Sequence, residues 1–211
     1  MNFDPFGDFE TRGYLRNTAG LKVSRAVKEF EHRAFLDNLP RAVAYLQPIG
    51  QLTYQDMLET HRILFQSVCP WAGLDRSITA PTIAIGKAGR ADLFAHPHDS
   101  AAAVDYALRL GQDREFMSRK PGEVMGYLAH GHPFLDGNGR TLMVVHNELA
   151  HRAGISIAWH KTDRKAYLRA LTEELNRPGK GELDAYLKPF VGTTASREDA
   201  AKLLAAVRGL G

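Results

Sequence analysis

Long apolar runs, paired cysteines and blocks of like charge are all missing from this 211-residue chain. A helix that crosses a bilayer needs about 18 or more predominantly apolar residues, and no stretch here supplies them. Residues 1–13 carry acidic side chains and no apolar segment, so no signal peptide is expected. Cys69 is the only cysteine, which excludes an internal disulfide framework and a cysteine-based zinc site, and suits a reducing compartment. The formal charge is only +3, from 27 Lys and Arg against 24 Asp and Glu. With no basic tail or stripe, neither a nucleic-acid partner nor a membrane partner is indicated. The expectation is a cytoplasmic globular protein, with delivery elsewhere as an effector left undecided.

What is present is enough apolar material, 44% of residues, for one sizeable core. Most of it recurs at helical spacing. Ser24 is placed to cap a helix carrying Val27, Phe30, Ala34 and Phe35, with Pro40 expected to end or restart it and a further helical stretch over 41–46. Thr53 and Asp56 have capping-box spacing ahead of Met57, Leu58, Leu64, Phe65 and Val68. The stretch around Thr79, Thr82, Ile83 and Ile85, the turn-prone Gly86–Gly89 and a run to Phe94 read as a β-hairpin, the only substantial β element expected. Helical pattern returns at 100–110. Pro121 fits the first turn of a helix bearing Val124, Met125, Leu128 and Ala129. Leu142, Val145 and Leu149 continue it in another helix that Gly154 should stop. Residues 155–159 read as extended. Thr162 is expected to cap the next helix, and two more follow at 182–190 and 196–208. The fold class is mainly α.

Between two of these helices stands His130–Thr141, reading His-Gly-His-Pro-Phe-Leu-Asp-Gly-Asn-Gly-Arg-Thr. Gly137 and Gly139 bracket Asn138 at a helix start, where backbone N–H groups can converge on an anion and the helix dipole favours negative charge. Arg140 can lean back toward the same anion with a fork that matches phosphate oxygens. Asp136 is a hard oxygen ligand suited to Mg2+ shared with substrate phosphates. The Asn138 amide can donate to a phosphate oxygen. His132 carries the group best suited to accept a hydroxyl proton near neutral pH. Base, metal ligand, anion nest and charge clamp together describe nucleotidyl or phosphoryl transfer.

His-Pro-Phe-Leu-Asp-Gly-Asn-Gly-Arg at 132–140 resembles the signature of the Fic family. Weaker likeness extends to Gly-Tyr-Leu-Arg-Asn at 13–17, Pro-Trp-Ala-Gly at 70–73, and the hairpin with Ile85, Lys87 and Phe94. The resemblance implies a Fic-type helical core with one β-hairpin flap, over residues 11–192, between an N-terminal tail (1–10) and a C-terminal helix (193–211). It implies transfer of AMP from ATP, with Mg2+, to a hydroxyl of a target protein. His132 would be the general base and Asp136 the Mg2+ ligand between α and β phosphates. Gly137, Asn138 and Gly139 would hold the α phosphate, Arg140 would bind the phosphate chain, and Phe134 would anchor the loop in the core. The hairpin would border the nucleotide and pair with an extended target segment by strand addition. Lys87 on it is a candidate nucleotide contact, with a solvated hairpin charge as the alternative.

The pattern departs from the family at Met143, where a second arginine is usual one helical turn after Arg140. Its loss removes a charged phosphate contact worth about 1.5–3 kcal/mol, which points to altered handling of the terminal phosphate, another nucleotide or diphosphate donor, or a low-activity nucleotide-binding module. Thr194 and Glu198 nearly match the family's inhibitory helix, but Asp199 replaces its Gly or Asn and the arginine partner is missing. Ser196 with Asp199 reads better as a helix cap. Inhibition is then expected from an antitoxin-like partner, as for a toxin, or not at all. A metal-hydrolase reading of His130, His132, His146 and His151 fails on spacing, since His146 and His151 fall on different faces. Cys69, Trp71 and Trp159 read as packing residues, and His96 and His98 as loop residues.

Overall fold

The computed structural model describes residues 15, 17–85, 90, 92–194 and 196–207. Ten helices, numbered here among the described residues, and one small sheet make up the chain. The first, α1 (Ser24–Leu46), runs through Pro40 without a break. The expected stop fails because the buried stripe of Ala34, Phe35 and Leu39 continues past the proline to Ala42 and Leu46. Packing of that stripe outweighs a missing backbone bond and ring clash that cost about 3 kcal/mol in an isolated helix. Helix α2 (Tyr54–Phe65) starts on the predicted capping box of Thr53 and Asp56.

The segment between α2 and the next long helix differs from expectation. Thr79 ends a short helix, α3 (Arg76–Thr79), capped by the Asp75 carboxylate on the Ser77 N–H. Residues 83–85 are in no strand, and the hairpin tip, including Lys87, lies outside the described residues. The N-terminal tail and most of the 13–17 likeness also fall there. Helices α4 (Ser100–Gln112), α5 (Arg114–Arg119) and α6 (Pro121–Gly131) follow, the last with Pro121 in its first turn as predicted.

Helix α7 (Asn138–Arg152) is the centre of the molecule. Leu142, Met143, Val144, Val145, Leu149 and Ala150 are all buried on it. It packs against α1, α2, α4 and α6. A helix apolar on nearly every side is stable only where neighbours cover every side. Gly154, at φ 84°, then turns the chain into β1 (Ile155–Ile157), which pairs antiparallel with β2 (Val191–Thr193) through Ile155 opposite Thr193 and Ile157 opposite Val191. These are the strands of the described residues, and β2 was not foreseen.

Helix α8 (Arg164–Asn176) is capped by Asp163, whose carboxylate accepts the Ala166 N–H, rather than by Thr162. The Thr162 hydroxyl instead closes a local turn onto the Trp159 carbonyl. Helix α9 (Glu182–Leu187) packs under α6 and α8. Helix α10 (Arg197–Ala205) begins on Ser196, which exchanges hydrogen bonds with Asp199, and it returns to α1 and α7. Leu204 and Val207 join the same core. No described helix is long and apolar enough to cross a membrane.

Candidate active site

The loop between α6 and α7 carries the motif, and its shape is set from inside. His132 ends α6 at φ 38° and ψ 58°, the one described non-glycine residue with positive φ. A left-handed conformation costs an L-residue about 1–2 kcal/mol and so has to be held. Three residues hold it. The Arg76 Nε donates to the His132 carbonyl at 2.7 Å, and Phe94 stacks on the imidazole with centroids 4.0 Å apart. The Asn138 Nδ2 lies 3.2 Å from the His132 Nε2.

Asn138 also clamps the loop. Its Oδ1 accepts the Phe134 N–H at 2.9 Å and its Nδ2 donates to the Phe134 carbonyl at 2.7 Å. That pair fixes which end of the amide is nitrogen, so the imidazole Nε2 is an acceptor and its proton sits on Nδ1. Both amide hydrogens thus have acceptors inside the protein, so in this structure Asn138 orients the imidazole and the loop. Phe134 is fully buried, as an anchor should be, and stacks on His61 at 3.8 Å.

His61 was missed by sequence reasoning. Its Nδ1 accepts the Gly73 N–H at 2.9 Å, so its Nε2 carries hydrogen and donates to the Asp136 carbonyl at 3.1 Å. Burial pushes its pKa down to about 3. The neutral ring is therefore a fixed support for the acidic end of the motif. Gly137 sits against the same ring at φ 77°, and a Cβ there would come within 2.8 Å of Phe65. At Gly139 a Cβ would meet nothing within 4 Å, so packing does not demand glycine; its absence of side chain leaves the helix start open.

Asp136 accepts its neighbour's N–H, from Gly137, at 2.6 Å, and its side chain is 59% exposed. A half-exposed carboxylate beside an open helix start fits a Mg2+ that keeps waters and shares phosphate oxygens, since such ions need only one or two protein carboxylates. Among the described residues no group of three His, Cys, Asp or Glu could hold a metal by itself. His146 is instead buried, its Nε2 donating to the Pro121 carbonyl at 2.7 Å.

Arg140 is buried with its guanidinium 4.6 Å above the Phe65 ring. Its Nη2 lies 3.2 Å from Glu31 and 4.0 Å from Asp136. Glu31 comes from α1, 109 residues away, and was not foreseen. Burial first, then the nearby Asp136 charge, raises its pKa, against the opposing pull of Arg140. Its charged form is therefore disfavoured beside Arg140.

A cavity of about 320 Å³ opens over this arrangement. His132, Asp136, Gly137–Gly139 and Arg140 form its polar floor. Met125, Leu142, Met143, Tyr167 and Leu171 form an apolar wall, and Arg164 at the start of α8 closes one side. Met143, at the position where a second arginine was expected, is 3% exposed and lines the cavity with a thioether. Arg164 gave no sequence signal because it is distant from the motif in the chain. Cys69 is inert: burial raises its pKa to about 12.

Residues 51–150 match the model of the Fic/DOC family. The chain is also 30% identical over 166 residues to the probable protein adenylyltransferase y4lH of Sinorhizobium fredii, a match that covers 74% of this chain and 81% of that protein. The chain belongs to the Fic/DOC family. A second relative, the protein adenylyltransferase VbhT of Bartonella schoenbuchensis, is 31% identical over 180 residues, covering 81% of this Fic chain. The aligned part spans only 35% of VbhT's length. Among solved structures, the N-terminal Fic domain of a cell filamentation protein from Bartonella quintana with bound ADP has a TM-score of 0.72 at 19% identity, covering 93% of this chain and 99% of that one. BepC from Bartonella tribocorum with bound AMPPNP has a TM-score of 0.71 at 14% identity, covering 92% and 100%. The Fic fold, with its helical core, is thereby established for this chain.

Proposed function

We propose that this protein is a nucleotidyltransferase that moves AMP from ATP to a Tyr, Thr or Ser hydroxyl of a target protein. The observation that carries the reading is the convergence in one cavity of an imidazole with an unprotonated Nε2 and an open helix start flanked by Asp136 and Arg140. The target hydroxyl would replace Asn138 as the partner of the His132 Nε2 and lose its proton there as its oxygen attacks the α phosphorus in line with the departing pyrophosphate. Backbone N–H groups at Gly137–Gly139 and the α7 dipole would stabilise the charge that develops on the α phosphate. Mg2+, when bound at Asp136, would neutralise charge across the phosphates. Arg140 would leave Glu31 and turn its fork to the phosphate chain.

The target would dock along the segment between α3 and α4, a reading supported by the alternation of half-buried and exposed residues at 81–85. Lys87 lies on that segment, beyond the described residues, and remains a proposed nucleotide contact. Glu198 is 80% exposed at its side chain and pairs with Lys202. Inhibition is accordingly assigned away from α10, to a separate antitoxin-like protein or to none. Buried Met143 favours one second reading, in which the donor is another nucleotide or a diphosphate, or turnover is low and the chain chiefly binds nucleotide. A panel of labelled nucleoside triphosphates and diphosphate donors, incubated with a lysate, tests both. His132-dependent labelling by ATP alone supports the first; labelling by another donor, or none at all, supports the second.

A further inference from the structure

Arg76 is the first residue of α3 and has no exposed surface. A guanidinium is retained in a protein interior only where its hydrogen bonds are fixed by the surroundings. Here Nε and Nη2 go to two carbonyls, while Nη1 has no hydrogen-bond partner among the described residues. Nε donates to the carbonyl of His132 and Nη2 to that of Ala95, each at 2.7 Å. The Arg76 backbone N–H donates to the Pro133 carbonyl, also at 2.7 Å.

These acceptors are the two sides of the imidazole's mount. One is the backbone of His132 itself, in its left-handed conformation. The other belongs to the residue after Phe94, whose ring stacks on the imidazole. The Ala95 segment is tied to α6 as well, by its N–H on the His130 carbonyl at 2.8 Å and by the His130 Nδ1 on the Leu93 carbonyl at 3.0 Å. The residue before the arginine, Asp75, accepts the Tyr54 hydroxyl on Oδ2 at 2.6 Å. Burial lowers the Arg76 pKa, against the smaller opposing pull of Tyr54 and Asp75. A planar fork fixes the angle between two carbonyls, which a lysine ammonium cannot do.

We propose that Arg76 is a positioning residue for His132, setting the direction of the imidazole by holding its backbone and its Phe94 face with one guanidinium. It does not touch substrate. The activity readout of this inference rests on the nucleotidyl-transfer reading above, whereas the spectroscopic readout does not.

The test uses the full chain with Arg76→Lys and Arg76→Gln, and reads three quantities. These are the 15N imidazole titration of His132, assigned with His132→Gln; the dissociation constant for ATP; and the rate of His132-dependent labelling from ATP. In a folded variant the midpoint or tautomer of the His132 signal moves by the equivalent of about half a pH unit or more. ATP affinity stays within about threefold, and labelling falls about tenfold or more in kcat with KM unchanged, as misorientation of a base demands. An unchanged His132 titration overturns the proposal, as does a loss of labelling and ATP binding in step with the unfolded fraction. Failure of both variants to fold also overturns it, by making Arg76 a residue of the scaffold. Absence of labelling by the wild type sinks the transfer reading alone, since the His132 titration still decides the role of Arg76.

Discussion

The Asn138 amide nitrogen lies 3.2 Å from the Nε2 of His132, joining the start of α7 to the imidazole that ends α6. The same side chain closes the loop between them through both polar backbone groups of Phe134. Removing it therefore costs structure and chemistry together. Asn138→Ala leaves a buried N–H and carbonyl unpaired, which should destabilise the fold by about 2–4 kcal/mol. Thermal unfolding checks this, and nucleotide transfer should fall further than the folded fraction accounts for.

The two motif glycines serve different ends and should separate experimentally. Gly137→Ala adds a Cβ at φ 77° within 2.8 Å of Phe65 and 3.0 Å of His61. Backbone strain and overpacking together are expected to cost about 2–4 kcal/mol. Gly139→Ala meets no protein atom within 4 Å, so its melting temperature should match wild type. Its nucleotide affinity should nonetheless drop, because the new methyl group occupies the open side of the helix start. Equal melting temperatures for the two variants would contradict this division.

Glu31 sets a pH dependence whose sign follows from its surroundings. Burial and the Asp136 charge raise its folded-state pKa above the ordinary value. A raised carboxyl contributes stability that is complete below the unfolded pKa and is lost as pH rises through the folded one. Glu31→Gln cannot lose a proton. Its melting temperature relative to wild type should therefore climb between about pH 4 and pH 7, while ATP binds more tightly because Arg140 is released. A relative melting temperature that falls with pH would mean that the Arg140 pair dominates instead.

Much of the site was legible because the motif is contiguous: His132 through Arg140 carry their chemistry in nine adjacent positions. The capping box at Thr53 and Asp56, and the Ser196 cap, were legible for the same local reason. What escaped depends on distance. Glu31 meets Arg140 across 109 residues, and Arg76 meets His132 across 56. Pro40 reads as a stop only until the buried stripe on both sides of it is known. The β-branched residues from Thr79 to Ile85 suggested a strand, but the Asp75 cap takes Thr79 into a turn of helix and residues 83–85 join no strand. The partners of Asn138 in this structure, two backbone groups and the imidazole, likewise could not be read from the motif.

Met143 is the one motif position whose chemistry opposes phosphate binding. It is buried in the cavity wall beside Arg140. Met143→Arg adds a guanidinium near the nest and should tighten ATP by about tenfold, near the value of one charge-assisted hydrogen bond. Isothermal titration measures it. Unchanged affinity and turnover would show that the terminal phosphate does not pass over this wall.

The central claim is that His132 drives transfer of the α-phosphoryl group with its nucleoside. Purified protein, incubated with Mg2+ and a lysate of candidate targets whose own kinases have been inactivated, is given ATP labelled either at the α or at the γ phosphate, beside His132→Ala. Label from the α position should appear on protein with the wild type and vanish with the variant, and label from the γ position should appear with neither. Protein labelling from the γ phosphate, or α labelling that survives loss of His132, would contradict the account.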